Sequence, residues 1–101
     1  MPQQVIAVDV DNTLTMGTAW TAQEMRDAQP NQPMIDYVNG LYKTEFIVIH
    51  TARRSEYYHE TITWLAKHNV NYHSITMDKL PANLYIDDKA LNPHDIVMEE
   101  E

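Results

Sequence analysis

Apolar residues along this chain fall into two kinds of pattern. Val5, Ile6, Ala7 and Val8 follow one another without polar alternation, and Phe46, Ile47, Val48 and Ile49 do the same. A strand covered on both faces shows no alternation, so both runs predict central strands of a parallel sheet. Elsewhere the apolar positions recur at helical spacing: Met34, Tyr37, Val38 and Leu41 in one stretch, Tyr58, Ile62 and Leu65 in another. Each set makes one apolar stripe along a helix. Pro33 suits the first turn of the earlier helix and Gly40 weakens it slightly. The later helix is expected over residues 55–68, with Trp64 packing near its edge and Asn69 as its stop. Thr21 and Glu24 have the spacing of a capping box, which predicts one or two helical turns before Pro30 and Pro33 close that stretch. A weaker third strand is expected over about residues 71–77 and a fourth over residues 84–86.

Strand, helix, strand, helix, strand, loop, strand describes an α/β fold: a Rossmann-like three-layer domain with a small, mostly parallel sheet of about four strands and right-handed crossovers. A chain of 101 residues has room for one such domain over 1–101, burying roughly two-thirds of its unfolded surface, and none for a cap domain.

The polar residues of interest all follow a strand. Asp9 and Asp11 follow the first, His50-Thr-Ala-Arg-Arg54 the second, Lys79 the third, and Asp87 and Asp88 the fourth. In open α/β sheets that edge carries the ligand site. Residues two apart in a strand share a face, so both leading carboxylates point into one crevice, where they repel. A hard divalent cation such as Mg²⁺ is the simplest thing that would hold them ionised together.

Composition narrows the partners. Seven basic against 15 acidic residues give a net charge of −8, which disfavours a long nucleic acid or an anionic membrane but permits a small phosphorylated ligand beside a metal. Cysteine is absent, so neither a disulfide framework nor a thiolate nucleophile enters. The histidines show none of the paired spacings of a zinc site and read as ordinary. Met-Pro-Gln-Gln at the start has no signal-peptide character and no apolar run approaches a membrane span, so the expected compartment is the cytoplasm.

Four motifs in this order resemble the haloacid dehalogenase superfamily of phosphohydrolases: Asp9-Val-Asp-Asn-Thr-Leu-Thr15, Thr51 after Phe46-Ile-Val-Ile-His50, Lys79, and Asp87-Asp88 after Leu84-Tyr-Ile86. More closely, Tyr37-Val-Asn-Gly-Leu-Tyr42, His50-Thr-Ala-Arg53 and Leu84-Tyr-Ile-Asp-Asp-Lys-Ala90 look like the short, capless members that include capsule-biosynthesis phosphatases and phage-encoded relatives. The resemblance implies a Mg²⁺-dependent phosphomonoesterase acting on a small phosphorylated metabolite, a sugar phosphate or a nucleotide. Asp9 would be the nucleophile that forms an aspartyl phosphate. Asp11 would be the general acid and base, starting protonated and lending the metal its main-chain carbonyl rather than its side chain. Thr51 would donate to a phosphoryl oxygen, and Lys79 would bridge nucleophile and phosphate. Asp9, Asp11, Asp87 and Asp88 make up the metal set, with Asp87 the first choice for direct ligation and Asp88 a second ligand or a partner through water.

Asn12, Thr13 and Arg53 complete the set as candidate substrate-binding residues, although for Arg53 and Arg54 a surface position is the commoner outcome. The competing reading is a non-enzymatic phosphoaspartate domain of the receiver type or a phosphate-binding module; a receiver would place its acidic pair first and its lysine last, whereas Lys79 precedes Asp87. Residues 16–31 lie near enough in sequence to overhang Asp9 and Asp11. Trp20 and Met25 there would serve as local cover or as a contact with a second copy, and a homo-oligomer that partly covers the site is expected.

Overall fold

The computed structural model describes residues 3–79. Three strands, β1 (Val5–Val8), β2 (Phe46–His50) and β3 (Ser74–Thr76), form a parallel sheet in the order β1-β2-β3. The register sets Val5 opposite Phe46 and Val8 opposite Ile49, then Ile49 opposite Ile75. Helices α1 (Ala22–Asp27) and α2 (Gln32–Tyr42) lie between β1 and β2; a single 3₁₀ turn (Ser55–Tyr57) and α3 (Tyr58–Lys67) lie between β2 and β3. This is the expected open, Rossmann-like parallel sheet, with no cap among the described residues. The strand expected at residues 84–86 lies outside the described residues. Among those described, no helix is long and apolar enough to cross a membrane.

Val8, Ile47 and Ile49 share one buried cluster with Met34, Ile35 and Val38 of α2 and with Trp64 and Leu65 of α3. Both helices therefore cover the same face. The two apolar runs were expected to be covered on both faces, but burial alternates along β2, and Val5 and Ala7 of β1 are exposed. Composition alone could not reveal this, because Val and Ala suit an open strand face as well as a covered one.

Local chemistry accounts for the helix ends. Thr21 accepts from the Glu24 N–H while the Glu24 side chain accepts from the Thr21 N–H, so the capping box forms as expected. Asn31 caps α2 through the Met34 N–H and also donates its own N–H to the Leu14 carbonyl at 2.7 Å. Asn69 has the left-handed φ of 57° that ends α3, with Asn69 N–H donating to Ala66 and Val70 N–H to Leu65, a Schellman closure. The expected stripe on α3 is displaced. Tyr58 is 46% exposed, while Thr61 and Trp64 are buried beside Leu65. Trp64 is not at an edge: it enters the core, and its Nε1–H reaches the Ala28 carbonyl at 2.9 Å, which turns that face inward. His73 is ordinary in the sense expected, its Nδ1 accepting from Ile47 N–H and its ring stacked between Tyr42 and Phe46.

Gly40 lies within α2, where an added Cβ would meet nothing within 4 Å. Gly40→Ala is expected to stabilise the fold by about 0.5–1 kcal/mol, because only the unfolded chain loses freedom. Urea denaturation with an unchanged slope and a higher midpoint would show it; a lower midpoint would contradict it.

Candidate active site

The crevice begins where β1 stops. Val8 and Val10 both turn into the core, so the residues between and after them, Asp9 and Asp11, face away from it. The Val10 carbonyl then accepts from the N–H groups of Thr13, Leu14 and Thr15 at 3.2, 2.9 and 3.1 Å, curling the chain into a tight loop. Asn12 takes the left-handed conformation that the curl requires, with φ 57°, and its N–H donates to the Thr15 hydroxyl oxygen and the Gly17 carbonyl. Thr15 in turn donates its hydroxyl to Gly17. Thr13 is held by its main chain, whose carbonyl accepts from the Asn31 side chain.

Asp9 is partly buried, and its Oδ1 accepts from the Val10 N–H at 2.7 Å. Loss of solvent raises its carboxyl above the ordinary carboxylate range; the Val10 N–H, Lys79 and His50 pull it back down, while Asp11 adds to the rise. Lys79 is thus near enough for its charge to act on Asp9. What brings it there is main-chain bonding. Thr51 N–H donates to the Thr76 carbonyl at 3.0 Å and Lys79 N–H donates to the Thr51 carbonyl at 2.9 Å. Thr51 itself is fully buried, and its hydroxyl oxygen accepts from the Arg53 N–H, leaving its own proton to donate. The structure therefore gathers Asp9, Asp11, Thr51 and Lys79 at one edge of the sheet, as the sequence predicts. Asp87 and Asp88 lie outside the described residues.

Arg53 departs from both expectations for it. It is neither a surface arginine nor open to a ligand: its side chain is 2% exposed. Nε donates to Asp11 Oδ2 at 3.0 Å and Nη2 to Asp11 Oδ1 at 2.9 Å, while Nη1 donates to the Thr61 hydroxyl at 3.1 Å. Ala19 N–H adds a further donor to Asp11 Oδ1 at 3.2 Å. Both Asp11 oxygens thus accept, and the side chain expected to act as general acid and base is held in a closed pair with Arg53. Sequence reasoning missed Thr61, whose only signal was a hydroxyl residue set one turn ahead of Trp64 on the inward face.

With the Asp11 side chain held by Arg53, the donors left for a cation would be the Asp9 carboxylate and, as the resemblance implies, the Asp11 main-chain carbonyl. That set suits Mg²⁺, which is bound through one or two protein oxygens and keeps several waters. Among the described residues no cluster of three or more His, Asp or Glu forms a metal cage. In residues 16–31, Met25 is core, whereas Trp20 is 77% exposed beside Ala19. Of the two expected residues Trp20 alone is available as cover or contact, and Met16, 65% exposed, is a second open apolar side chain in the same stretch.

No protein-family model matches this chain, and no curated protein matches it in sequence. Among solved structures it is similar to a structural-genomics target from Vibrio cholerae, with 29% identity and a TM-score of 0.79 over 97% of this chain and 93% of that one. It is also similar to chains in two structures of the Pnkp1/Rnl/Hen1 RNA repair complex, at 21% identity each and TM-scores of 0.65 and 0.64. There it covers 98% and 99% of itself but 30% and 33% of those longer chains, and that likeness shows the fold alone.

Proposed function

We propose that this chain is a Mg²⁺-dependent phosphomonoester hydrolase of the haloacid dehalogenase type, in its short, capless form, working through an aspartyl phosphate. The observation that supports it most is the meeting of Asp9, Thr51 and Lys79 across the ends of β1, β2 and β3, with the charge of Lys79 acting on a partly buried Asp9 carboxylate. The resemblance to capsule-biosynthesis phosphatases and phage-encoded relatives is the finer form of the same reading.

Asp9 attacks phosphorus in line, and one hydrolysis becomes two displacements. Its desolvation favours attack, since a carboxylate stripped of water is the stronger nucleophile. Thr51 donates to a phosphoryl oxygen, and the Lys79 ammonium lies where negative charge gathers in the transition state. Asp9 and the Asp11 carbonyl would hold Mg²⁺, which would supply the remaining positive charge. Asp11, oriented by its pair with Arg53, takes the proton of the water that attacks the phosphoaspartate. Donating a proton to a departing alkoxide requires that pair to open first. Substrates whose leaving groups need little protonation are therefore handled best. The substrate is a small phosphorylated metabolite, a sugar phosphate or nucleotide, since a net charge of −8 opposes a long polyanion.

Purified protein is expected to hydrolyse p-nitrophenyl phosphate with Mg²⁺ and to lose that activity on chelation. Metal-independent turnover, or none over a broad panel of phosphate esters, would overturn the proposal.

A further inference from the structure

We propose that Arg53 is a positioning residue that sets the Asp11 carboxylate from helix α3, with Thr61 as its anchor, and that it does not bind the substrate phosphate. The inference rests on the phosphohydrolase reading above. Three observations carry it. A side chain 2% exposed offers no face to an incoming phosphate, and all three guanidinium nitrogens already donate, Nε and Nη2 to Asp11 and Nη1 to Thr61. The contact is a two-pronged fork, Nε to one oxygen and Nη2 to the other, which fixes the plane of the carboxylate as well as its place. The remaining bond, Nη1 to Thr61, ties that plane to α3, where the same hydroxyl donates to the Tyr57 carbonyl at 2.8 Å.

The main chain of Arg53 extends the same function. Its N–H donates to the Thr51 hydroxyl oxygen, and its carbonyl accepts from the N–H of Asp78, the residue before Lys79. Asp78 holds a left-handed φ of 61° and takes the Ser55 N–H on its carboxylate, so the β3 end is fastened to the β2 end on both sides. One residue thus joins the loops that carry Asp11, Thr51 and Lys79. Stability alone is a poor reason for this arrangement, because a buried ion pair recovers little beyond its own desolvation. Orientation is the better reason, since a proton-transfer group misplaced by about 1 Å loses on the order of 10²-fold in rate.

The test uses the full chain and p-nitrophenyl phosphate with Mg²⁺. Arg53→Ala is expected to lower kcat by roughly 10²-fold with KM changed less than about threefold, and Thr61→Val to lower kcat by about three- to tenfold in the same pattern. Arg53→Lys is expected to restore little, since one ammonium cannot span two oxygens. Added guanidinium ion is expected to recover part of the kcat of Arg53→Ala, which a merely structural loss would not allow. A rise in KM with kcat kept would overturn the proposal, because it would assign Arg53 to the substrate. If Arg53→Ala does not fold, Thr61→Val decides the kinetic arm. The pairing is also read without turnover, from the Arg53 Nε–H resonance in the metal-free protein. Slow solvent exchange in the wild type that becomes fast in Asp11→Asn supports it, and fast exchange in the wild type overturns it. A wild type silent on every phosphate ester would overturn the hydrolase reading and leave this proposal to the resonance.

Discussion

Asp9→Asn is expected to end phosphate-ester turnover, by at least about 10⁴-fold in kcat, and to yield a protein that melts at a higher temperature than the wild type at neutral pH. The first effect follows from chemistry: an amide cannot form the phosphoaspartate, and the neighbouring Asp11 carboxylate is engaged by Arg53. The second follows from burial. Desolvation raises the Asp9 carboxyl above its ordinary 3.8, and that net rise already includes the attraction of Lys79. A group with a raised folded value is protonated more readily in the native state than in the unfolded chain. As pH climbs from 3.8 through the raised value the unfolded chain loses its proton first, and native stability falls and stays lower above that window. Asparagine removes this penalty while its side-chain carbonyl can still accept the Val10 N–H. Thermal melts of the metal-free protein should therefore show the variant ahead at pH 7 and the gap closing below pH 3.8. A variant that keeps its activity would displace Asp9 as nucleophile. One that melts lower at pH 7 would displace burial as the dominant influence on it.

Trp64→Ala is expected to cost about 3–5 kcal/mol, a large part of the roughly 5–15 kcal/mol that holds a domain of this size together. Trp64 is the largest fully buried side chain, 2% exposed, and joins α3 to the sheet cluster. Its indole also caps the Ala28 carbonyl at the end of α1, so its loss leaves both a cavity and an unpartnered acceptor. Trp64→Phe should cost less, with the difference dominated by the hydrogen bond and some volume. Urea midpoints for the pair at equal slope would measure the two contributions; a Trp64→Ala variant as stable as the wild type would mean that α3 does not depend on this contact.

How much of this was legible in the sequence depends on the distance over which each feature is decided. The β1 and β2 runs, the Thr21 and Glu24 box, the helix that has Pro33 in its first turn and carries Met34 and Leu41, and the Asn69 stop are settled by neighbours within a few residues, and all of them appear. The positions of Asp9, Asp11, Thr51 and Lys79 were legible because each follows a strand, and parallel strands end together. Arg53 was not. Whether a guanidinium is solvated or buried depends on a carboxylate 42 residues away, and no local rule reaches that far. The inward face of α3 escaped for the same reason: Thr61 can be buried only because Arg53 and Tyr57 satisfy its hydroxyl. The exposed side of β1 escaped because a run of Val, Ile and Ala has no polar residue to mark it.

The stitching of the β2 and β3 ends has a meaning for how such a chain can change over generations. Past the last ladder pair, His50 with Thr76, the bonds from Thr51 to Thr76 and from Lys79 to Thr51 continue the pairing into the loops. Lys79 takes its place from β2, not from the length of chain that leads to β3. One residue gained between Thr76 and Lys79 would turn the ammonium away from Asp9, and the turn between α3 and Ser74 is held as firmly, by Asn39 bonding the Asn69 carbonyl and the Asn71 N–H and by His73 bonding Ile47. Mutational drift in length is thus barred on both sides of a three-residue strand.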